Sequence, residues 1–472
     1  MGLTLIKVRV LLLSTYELGR HPVHVASPAA TLERAGHTVT AVDLAVENLT
    51  AEHLAVVDAI AISVPMHTAM RLAIATAREV RSRHPELPIA LYGLYAAVGS
   101  ESTLGEVADQ LLAGEYESGL VSWVGSLNGH TQPSLSIDVG HGHFTVPDRS
   151  KLGGLDAYAR LEWEGEAKLV GAVEASHGCR HRCRHCPIPV LYDGRWRKVG
   201  MEQVLADIEH LVALGARHIT FGDPDFLNAP RYSLDVLRSA HAAHPQLTFD
   251  VTVKVSHILE HRDLWAEMAQ LGVLFVVSAF ESVDDRTLEI LDKNHTRDDM
   301  VEAIEITRST GVHLRPTWLP FFPWTTPDDL VGLIRFLDEH RLWEATDPVQ
   351  LAIKLLVPEG SLLEDHPEVR PHLIEYLPET LTWEWGFADP DGELLHKRLD
   401  SIAAEGSDCG AEALVTLRQM RHTVAEVCRL DPGPMPVGPA VPRLTESWFC
   451  CAEPTAGQAA SVAVRIGSPA SR

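Results

Sequence analysis

A regular alternation of short apolar segments with amphipathic segments over residues 5–125 constrains the fold more than any other feature of this chain. The apolar segments IKVRVLLLST, TVTAVDLA, AIAISV and IALYGLYA predict strands, and helical patterns separate them. Such an alternation is typical of a parallel sheet that is covered by helices on both faces. We therefore expect a doubly wound α/β domain whose ligands bind where its strands end, at Ser14–Thr15, Asp43, Ser63–Val64 and Tyr92–Gly93.

The same alternation returns after a break in composition. Residues 126–168 are rich in Gly, Ser, His and Pro, which predicts a linker. Residues 169–365 again alternate strand and helix patterns, whereas residues 366–472 are helical and loop-like. We expect a first domain at 1–125, a second α/β domain at 169–365 and a C-terminal region at 366–472.

The composition excludes several kinds of partner. The chain has 472 residues and a formal net charge of −24, which repels nucleic acid and argues against a DNA or tRNA substrate. No apolar run reaches the length of a membrane span, and the N-terminus lacks the pattern of a signal peptide. We therefore expect a cytoplasmic protein without a membrane partner, whose thiols stay reduced.

The seven cysteines fall into two groups. None occurs in the first 178 residues, three lie close together, and four are found in the last 64 residues, at Cys409, Cys428, Cys450 and Cys451. In a reducing compartment, clustered cysteines are more often metal ligands or reactive groups than disulfide partners.

The central group, in HGCRHRCRHCP, predicts a metal centre at Cys179, Cys183 and Cys186. Three thiolates on one short loop can hold three irons of a [4Fe–4S] cluster and leave the fourth iron open for a substrate. A zinc site is the alternative, with a fourth ligand from a histidine in or beside the loop, at His177, His181 or His185. Zinc ribbons and fingers usually pair two such short loops, and the second is missing here.

This cysteine spacing, directly after a predicted strand, resembles the radical S-adenosylmethionine (SAM) superfamily over about residues 150–365. The resemblance implies a partial (β/α)6 barrel of the TIM type. It also implies a [4Fe–4S] cluster whose open iron binds the amino and carboxylate groups of SAM. Reduction of the cluster by one electron then cleaves a carbon–sulfur bond of SAM and produces a carbon radical.

The resemblance also implies which residues contact SAM. Those residues are His185 beside the adenine, Gly222, Asp223 and Asp225 at the amino group, Lys254 at the carboxylate, Ser278 and Glu281 near the ribose, and Leu319 bordering the adenine. Each side chain also has an ordinary structural interpretation, because strand ends and turns often carry polar residues that only cap helices or satisfy backbone groups.

The first domain is similar to the cobalamin-binding-type domain that precedes some radical SAM domains. The similarity rests on LAGEYESGLVSWV, where Gly114, Glu115 and Glu117 replace a GEGE-like turn, and on the connector VPDRS at 146–150. The chain lacks the Asp-x-His-x-x-Gly loop that supplies an axial histidine in many cobalamin domains. Cobalamin binding and a domain that keeps only the fold both stay open.

The tail FCCAEP at 449–454 resembles that of the CUAEP/CCAEP-tail radical SAM proteins, some of which carry selenocysteine at the position of Cys451. A related tail occurs in the radical SAM enzyme of arsinothricin biosynthesis, which moves the 3-amino-3-carboxypropyl group of SAM onto arsenic. Vicinal thiolates suit a soft element such as trivalent arsenic. Here only Cys450 and Cys451 are adjacent, so a third thiolate would come from Cys428 or Cys409, or be absent.

Three hypotheses for the function follow. The first is a radical SAM transferase whose catalytic thiols, Cys450 and Cys451, present a small substrate, arsenite foremost, and whose electrons come from a flavodoxin- or ferredoxin-type reductase. The second is a cobalamin-dependent radical SAM methyltransferase that acts on a small-molecule carbon, with a redox or regulatory tail. The third is a zinc-binding protein that is not an enzyme.

Overall fold

The computed structural model describes residues 7–127, 132–142, 144–446 and Glu453. The first part is a parallel sheet in the order β2-β1-β3-β4-β5-β6. Its strands are β1 (Arg9–Ser14), β2 (Thr38–Asp43), β3 (Ala59–Ser63), β4 (Ile89–Tyr92), β5 (Gln110–Gly114) and β6 (Ser134–Asp138). Its helices are α1 (Val23–Arg34), α2 (Ala51–Ala55), α3 (His67–Arg83), α4 (Ser100–Thr103) and α5 (Glu117–Ser126).

This sheet confirms the expected doubly wound domain. Strand β1 lies between β2 and β3, so the strand order reverses there and a crevice opens at the carboxyl ends of β1 and β3. Strands β1, β3 and β4 are buried almost throughout because helices cover both faces, as their continuous apolar runs predict.

Strand β6 lies inside the segment for which a linker is expected. All its side chains are exposed, so it lacks the apolar pattern that marks a buried strand, and its pairing with β5 depends on backbone hydrogen bonds. Gly114 permits this pairing, since a Cβ atom there would lie 2.0 Å from the carbonyl oxygen of Asp138. The first sheet therefore extends past the expected boundary at residue 125.

The second part is a curled sheet with the order β14-β13-β12-β11-β8-β7. The strands of this part, with a two-stranded ribbon formed by β9 and β10, are β7 (Arg160–Trp163), β8 (Glu166–Val173), β9 (Ser176–Gly178), β10 (Trp196–Lys198), β11 (His218–Phe221), β12 (Thr248–Thr252), β13 (Val273–Glu281) and β14 (His313–Trp318). Its helices are α6 (Pro187–Tyr192), α7 (Met201–Ala213), α8 (Pro230–Ala243), α9 (Val255–Glu260), α10 (Trp265–Gln270), α11 (Asp285–Ile290), α12 (Arg297–Thr310) and α13 (Pro327–His340).

Five parallel strands form the partial barrel, namely β8, β11, β12, β13 and β14. Strand β7 runs antiparallel to β8. A sixth parallel strand is reduced to a single bridge between Phe321 and Lys354. The partial (β/α)6 architecture expected from the sequence is therefore present in a half-barrel form.

The C-terminal region contains a hairpin, two helices and a final short strand. These are β15 (Leu373–Leu377), β16 (Thr382–Trp385), α14 (Pro390–Asp408), α15 (Ala413–Val427) and β17 (Arg443–Leu444). Strand β17 pairs with β7, and the carbonyl of Pro442 accepts a hydrogen bond of 3.0 Å from Arg315 on β14. The end of the described chain thus connects the two edges of the half-barrel.

A buried ion pair joins the two α/β parts. Arg149, in the connector VPDRS, makes two hydrogen bonds of 2.7 and 2.9 Å to the carboxylate of Asp207 on α7. The same guanidinium donates to the carbonyl of His21 in the first domain and to that of Ala172 on β8. Because one side chain satisfies acceptors in both parts, it fixes their relative position. Among the described residues, no helix is long and apolar enough to span a membrane.

Candidate active site

The three central cysteines lie in the loop that follows β8 and β9, at the carboxyl ends of the barrel strands. All three line one cavity of about 420 Å³ between the barrel and the first domain. Cys179 and Cys183 are 8% exposed, and the Sγ atom of Cys179 lies 3.7 Å from Nδ2 of Asn228. Burial raises the pKa of the Cys179 and Cys186 thiols. Buried thiolates require a bound cation to be stable, which fits iron ligands.

The histidines near the cysteines are held by carboxylates. His177 Nδ1 lies 2.9 Å from Glu115, His181 Nε2 lies 3.3 Å from Asp225, and His185 Nε2 lies 3.1 Å from Glu281. Both ring nitrogens of His177 have carboxylate partners, Glu115 and Glu174, whereas His181 and His185 each pair through one nitrogen.

The spacing of the cysteines also argues against a single metal ion. Among the described residues, the groups whose potential ligand atoms all lie within 4.8 Å are His181–Asp225–His257 and His257–Glu260–His261, and the three cysteines do not form such a group. Thiolates that share one tetrahedral zinc ion would lie about 3.8 Å apart. At least one pair of the three Sγ atoms is therefore more than 4.8 Å apart, which suits sulfurs that bind different irons of a cluster.

Asp223 and Asp225 both line the cavity but have different surroundings. Asp223 accepts a 2.9 Å hydrogen bond from the backbone of Ala175 and a second one from the hydroxyl of Ser176. Burial raises its pKa to about 7. Burial also raises the pKa of Asp225, but His181 and His257 outweigh that effect and lower it. Asp225 is therefore ionised at neutral pH, whereas Asp223 is only partly ionised there and its hydrogen bonds fix the strand that leads to the cysteine loop.

Lys254 places a positive charge in the same cavity. It precedes α9 and is 6% exposed, and its Nζ atom has no hydrogen-bond partner among the described residues. A buried ammonium without a partner carries a large desolvation cost. An anionic ligand group, such as a carboxylate, would remove that cost.

Glu281 is the centre of a buried charge cluster at the end of β13. Its Oε1 atom lies 3.2 Å from Nζ of Lys293 and 3.1 Å from Nε2 of His185. Burial raises the pKa of Glu281, but the nearby Lys293 and His185 outweigh it and bring the value to about 2. Its backbone adopts φ +65° next to a register shift in the β13–β14 ladder, a conformation that aims the side chain into the cavity.

The other predicted contacts divide into two groups. Gly222 and Leu319 line the cavity. Ser278 does not, because Val277, Ala279 and Glu281 face the cavity and side chains alternate between the two faces of a strand. Ser278 is fully buried on the opposite face, and its Oγ atom has no hydrogen-bond partner among the described residues.

Comparison with known proteins agrees with this geometry. Residues 173–337 match the family model of the Radical SAM superfamily. The chain carries a radical SAM domain. A domain of this type holds a [4Fe–4S] cluster and SAM, and the cavity contains three thiols, a carboxylate and a free ammonium suited to both.

Two solved structures share the fold over most of this chain. The structure of the cobalamin-dependent radical SAM enzyme OxsB, with aqua-cobalamin and S-adenosylmethionine bound, superposes with a TM-score of 0.62, 13% identity, and coverage of 90% of this chain and 71% of OxsB. The radical SAM methyltransferase TsrM from Kitasatospora setae gives a TM-score of 0.52, 16% identity, and coverage of 71% and 70%.

Among curated proteins, the hopanoid C-2 methylase of Rhodopseudomonas palustris (strain TIE-1) is 23% identical over 289 residues, which cover 57% of this chain and 49% of the methylase. The chain thus spans about half the length of this relative.

A second layer of charges ties the radical SAM domain to the first domain. Glu115, in the GEGE-like turn after β5, accepts from His177 and, at 2.9 Å, from the hydroxyl of Tyr192. Glu174 lies between His177 and His24. Burial raises the pKa of Glu174, but these two histidines outweigh burial and lower it. His177 comes two residues before Cys179, so this network holds the strand entering the cysteine loop against the first domain.

Several side chains at the site carry no signal in the sequence. Lys293, His257 and the buried pair Arg315–Asp347 all belong to the cavity wall or contact it. His181, which contacts the same Asp225 as His257, was identified from the sequence because it lies within the cysteine loop.

The remaining cysteines lie elsewhere. Cys409 is exposed after α14, and Cys428 is partly buried after α15, where it packs against the hydrophobic core. Neither lines the cavity. Cys450 and Cys451 lie outside the described residues.

Proposed function

We propose that this protein is a radical SAM transferase that moves a carbon group of SAM onto a small molecule. The proposal depends on one observation. The three cysteines of the central loop line the same cavity as Asp225 and Lys254. A volume of about 420 Å³ is in the range of small-molecule sites. The net charge of −24 would repel a nucleic acid, which argues against a nucleic-acid substrate.

The side chains of the cavity suit the two ends of the SAM amino acid moiety. The Lys254 ammonium would pair with the SAM carboxylate, and the Asp225 carboxylate would accept from the SAM amino group. Lys293 lies between Glu281 and the cysteine loop, and its charge opposes the rise in the pKa of Cys186. When bound and reduced, the cluster supplies the electron that cleaves a carbon–sulfur bond of SAM. We expect that electron to come from a flavodoxin- or ferredoxin-type reductase.

The relatives favour methyl as the transferred group. The curated relative named above is a methylase and one structural relative is a methyltransferase, although the likeness to the structure supports the fold alone. Methyl transfer to a small-molecule carbon is therefore the leading form of the proposal.

Cobalamin is the further cofactor that the fold relatives suggest. The described residues leave two separate spaces at the carboxyl edge of the first sheet, one of about 420 Å³ and one of about 330 Å³. Each has the size of a drug-sized ligand, and a corrinoid is several times larger. Glu446 lines both spaces and separates them, so neither space alone has room for a corrinoid.

A second candidate is transfer of the 3-amino-3-carboxypropyl group to arsenite held by Cys450 and Cys451. The observation that favours it is Glu453 of the CCAEP tail, which contacts His67 beside the cavity-lining Tyr95. The two cysteines precede this contact by two and three residues, and each residue of an extended chain spans at most about 3.6 Å. Their thiols would then be delivered near the cavity.

Product analysis separates these candidates. The reconstituted protein is incubated with reductant, arsenite and SAM that is labelled separately in the methyl and the aminocarboxypropyl groups. Methyl transfer gives S-adenosylhomocysteine and a methyl-labelled product. Transfer of the other group gives methylthioadenosine and an aminocarboxypropyl arsenical. No cleavage of SAM under strong reduction would contradict both.

A further inference from the structure

The loop that carries the three cysteines, together with β10, is basic in a chain that is otherwise acidic. The segment 180–198 contains one acid, Asp193, in a chain whose net charge is −24. The cations of this segment are Arg180, Arg182, Arg184, Arg195, Arg197 and Lys198. Several of these side chains are exposed, so a positive surface lies outside the cysteine loop.

Part of this surface forms one wall of an open groove of about 590 Å³. The lining of the groove includes Trp196 and Lys198 of β10, residues 229–232 at the start of α8, and His261. The ammonium of Lys198 lies 5.2 Å from the centre of the Tyr232 ring. The groove therefore combines aromatic rings with positive charge.

The cations of the groove lack anionic partners. Lys198 and Arg231 are both exposed, and neither forms an ion pair with a carboxylate in the part of the chain that the structure describes. The guanidinium of Arg180 lies 5.4 Å from the centre of the Trp196 ring at the edge of the groove. Asp263 is the one acid among the described residues that line it, so the groove presents an excess of positive charge.

The groove is close to one of the three cysteines. In the ribbon of β9 and β10, Trp196 pairs with Gly178, the residue before Cys179. On the opposite wall, Ala229 follows Asn228, whose Nδ2 atom lies 3.7 Å from the Sγ atom of Cys179. A protein seated in the groove would therefore be separated from a cluster held by Cys179 by a single layer of residues.

We propose that this groove is the docking site of the electron donor, an acidic carrier protein of the flavodoxin or ferredoxin type. The inference rests on the proposed function, because a donor is needed where a cluster has to be reduced. The donor loses one electron and the cluster gains it, so no bond forms or breaks.

The charges of the chain favour this occupant at this place. A net charge of −24 repels an acidic carrier on average, whereas a local positive surface attracts it and orients its approach. Electron-transfer encounters are small and transient, so a few charges around one groove are enough to direct them. The groove lies beside Cys179, so the position in which the carrier is attracted is also a position close to the cluster.

Binding of an oxidised bacterial flavodoxin to the reconstituted protein, measured by calorimetry at low ionic strength, tests the proposal. The variant Lys198→Glu/Arg231→Glu reverses two charges of the groove. Arg335→Glu/Arg418→Glu is the matched control, because it makes the same change in net charge at exposed positions of α13 and α15 that do not line the groove. Thermal unfolding verifies that each protein is folded, and SAM cleavage is measured with reduced flavodoxin and with dithionite.

The proposal predicts that reversal of the groove charges weakens flavodoxin binding by roughly tenfold or more, while the control binds like the unmodified protein. Added salt weakens binding to the unmodified protein, since exposed charges are screened. SAM cleavage driven by flavodoxin falls in the groove variant, whereas cleavage driven by dithionite is unchanged, because a small reductant needs no docking site.

Equal binding to all three proteins would overturn the proposal. An equal loss in the groove variant and the control would also overturn it, and so would a failure of flavodoxin to bind the unmodified protein. Absence of SAM cleavage by the unmodified protein with dithionite would contradict the proposed function instead, and the binding measurement would still decide this inference.

Discussion

The Nζ atom of Lys293 lies 3.2 Å from Oε1 of Glu281, and both side chains are buried beside the cysteine loop. The same carboxylate contacts His185, the residue before Cys186. The buried ammonium of Lys293 therefore has an anionic partner, and the end of β13 is fixed against the loop that carries the cysteines.

We predict that Glu281→Gln destabilises the protein by about 3 kcal/mol, because it leaves the ammonium of Lys293 buried without its anion. Urea unfolding at pH 7 measures the change. The double variant Glu281→Gln/Lys293→Met should recover part of the loss. Glu302→Gln is the control, since it removes the same charge from an exposed pair with Arg262 and should change stability little. A single variant as stable as the unmodified protein would show that the pair is not needed.

Lys254 gives a prediction for SAM binding. Lys254→Met should weaken the binding of SAM to the reconstituted enzyme by roughly tenfold to a hundredfold, because the SAM carboxylate loses a charged donor. Iron content should not change, since Lys254 is not a cysteine-loop residue. Ser278→Ala is the control. The Ser278 side chain lies on the face of β13 that points away from the cavity, so SAM binding should be unaffected. Equal losses in both variants would contradict the assignment of Lys254.

Asp223 gives a prediction for pH dependence. Its folded pKa is raised to about 7 by burial, so the native state binds more protons than the unfolded state between about pH 4 and pH 7. The contribution of this group to stability is therefore present at low pH and is lost as the pH rises through 7. Asp223→Asn imitates the protonated acid and should remove this loss.

The measurement is the difference in unfolding free energy between the unmodified protein and Asp223→Asn at pH 5.5, 6.5 and 7.5. This difference should move in favour of the variant as the pH rises. Other titrating groups are common to both proteins and cancel. A constant difference over this range would show that Asp223 ionises normally.

Arg149 gives a prediction for the contact between the domains. Arg149→Met leaves Asp207 buried without its partner and should cost about 3 to 5 kcal/mol in unfolding free energy. Lys151→Met, two residues away, removes only a more exposed pair with Glu33 and serves as the control. Hydrogen exchange should increase along the loop that contains His21 in the first variant and not in the second.

Local patterns in the sequence are enough to bring part of the cavity lining together. Cys179, Cys183 and Cys186 share a short loop, and Gly222, Asp225 and Lys254 follow strands, so the parallel sheet brings all of them to one edge. Ser278 faces away from the cavity because Val277 and Ala279, its neighbours on β13, face it.

Long-range contacts explain what the sequence did not reveal. Strand β6 is exposed and has no apolar pattern, so only its pairing with β5 identifies it. Lys293 follows a helix rather than a strand, and its role depends on Glu281, twelve residues earlier. The contact between Glu453 and His67 joins residues 386 positions apart, and no local pattern predicts such a contact.

The central claim is that Cys179, Cys183 and Cys186 hold a [4Fe–4S] cluster that cleaves SAM. The most direct measurement is the iron and sulfide content of the anaerobically reconstituted protein and of Cys179→Ala/Cys183→Ala/Cys186→Ala, together with SAM cleavage by each under strong reduction. The account predicts about four irons and four sulfides per chain and SAM cleavage for the unmodified protein, with both lost in the triple variant. One zinc ion in place of iron, or an iron content that survives the triple substitution, would contradict it.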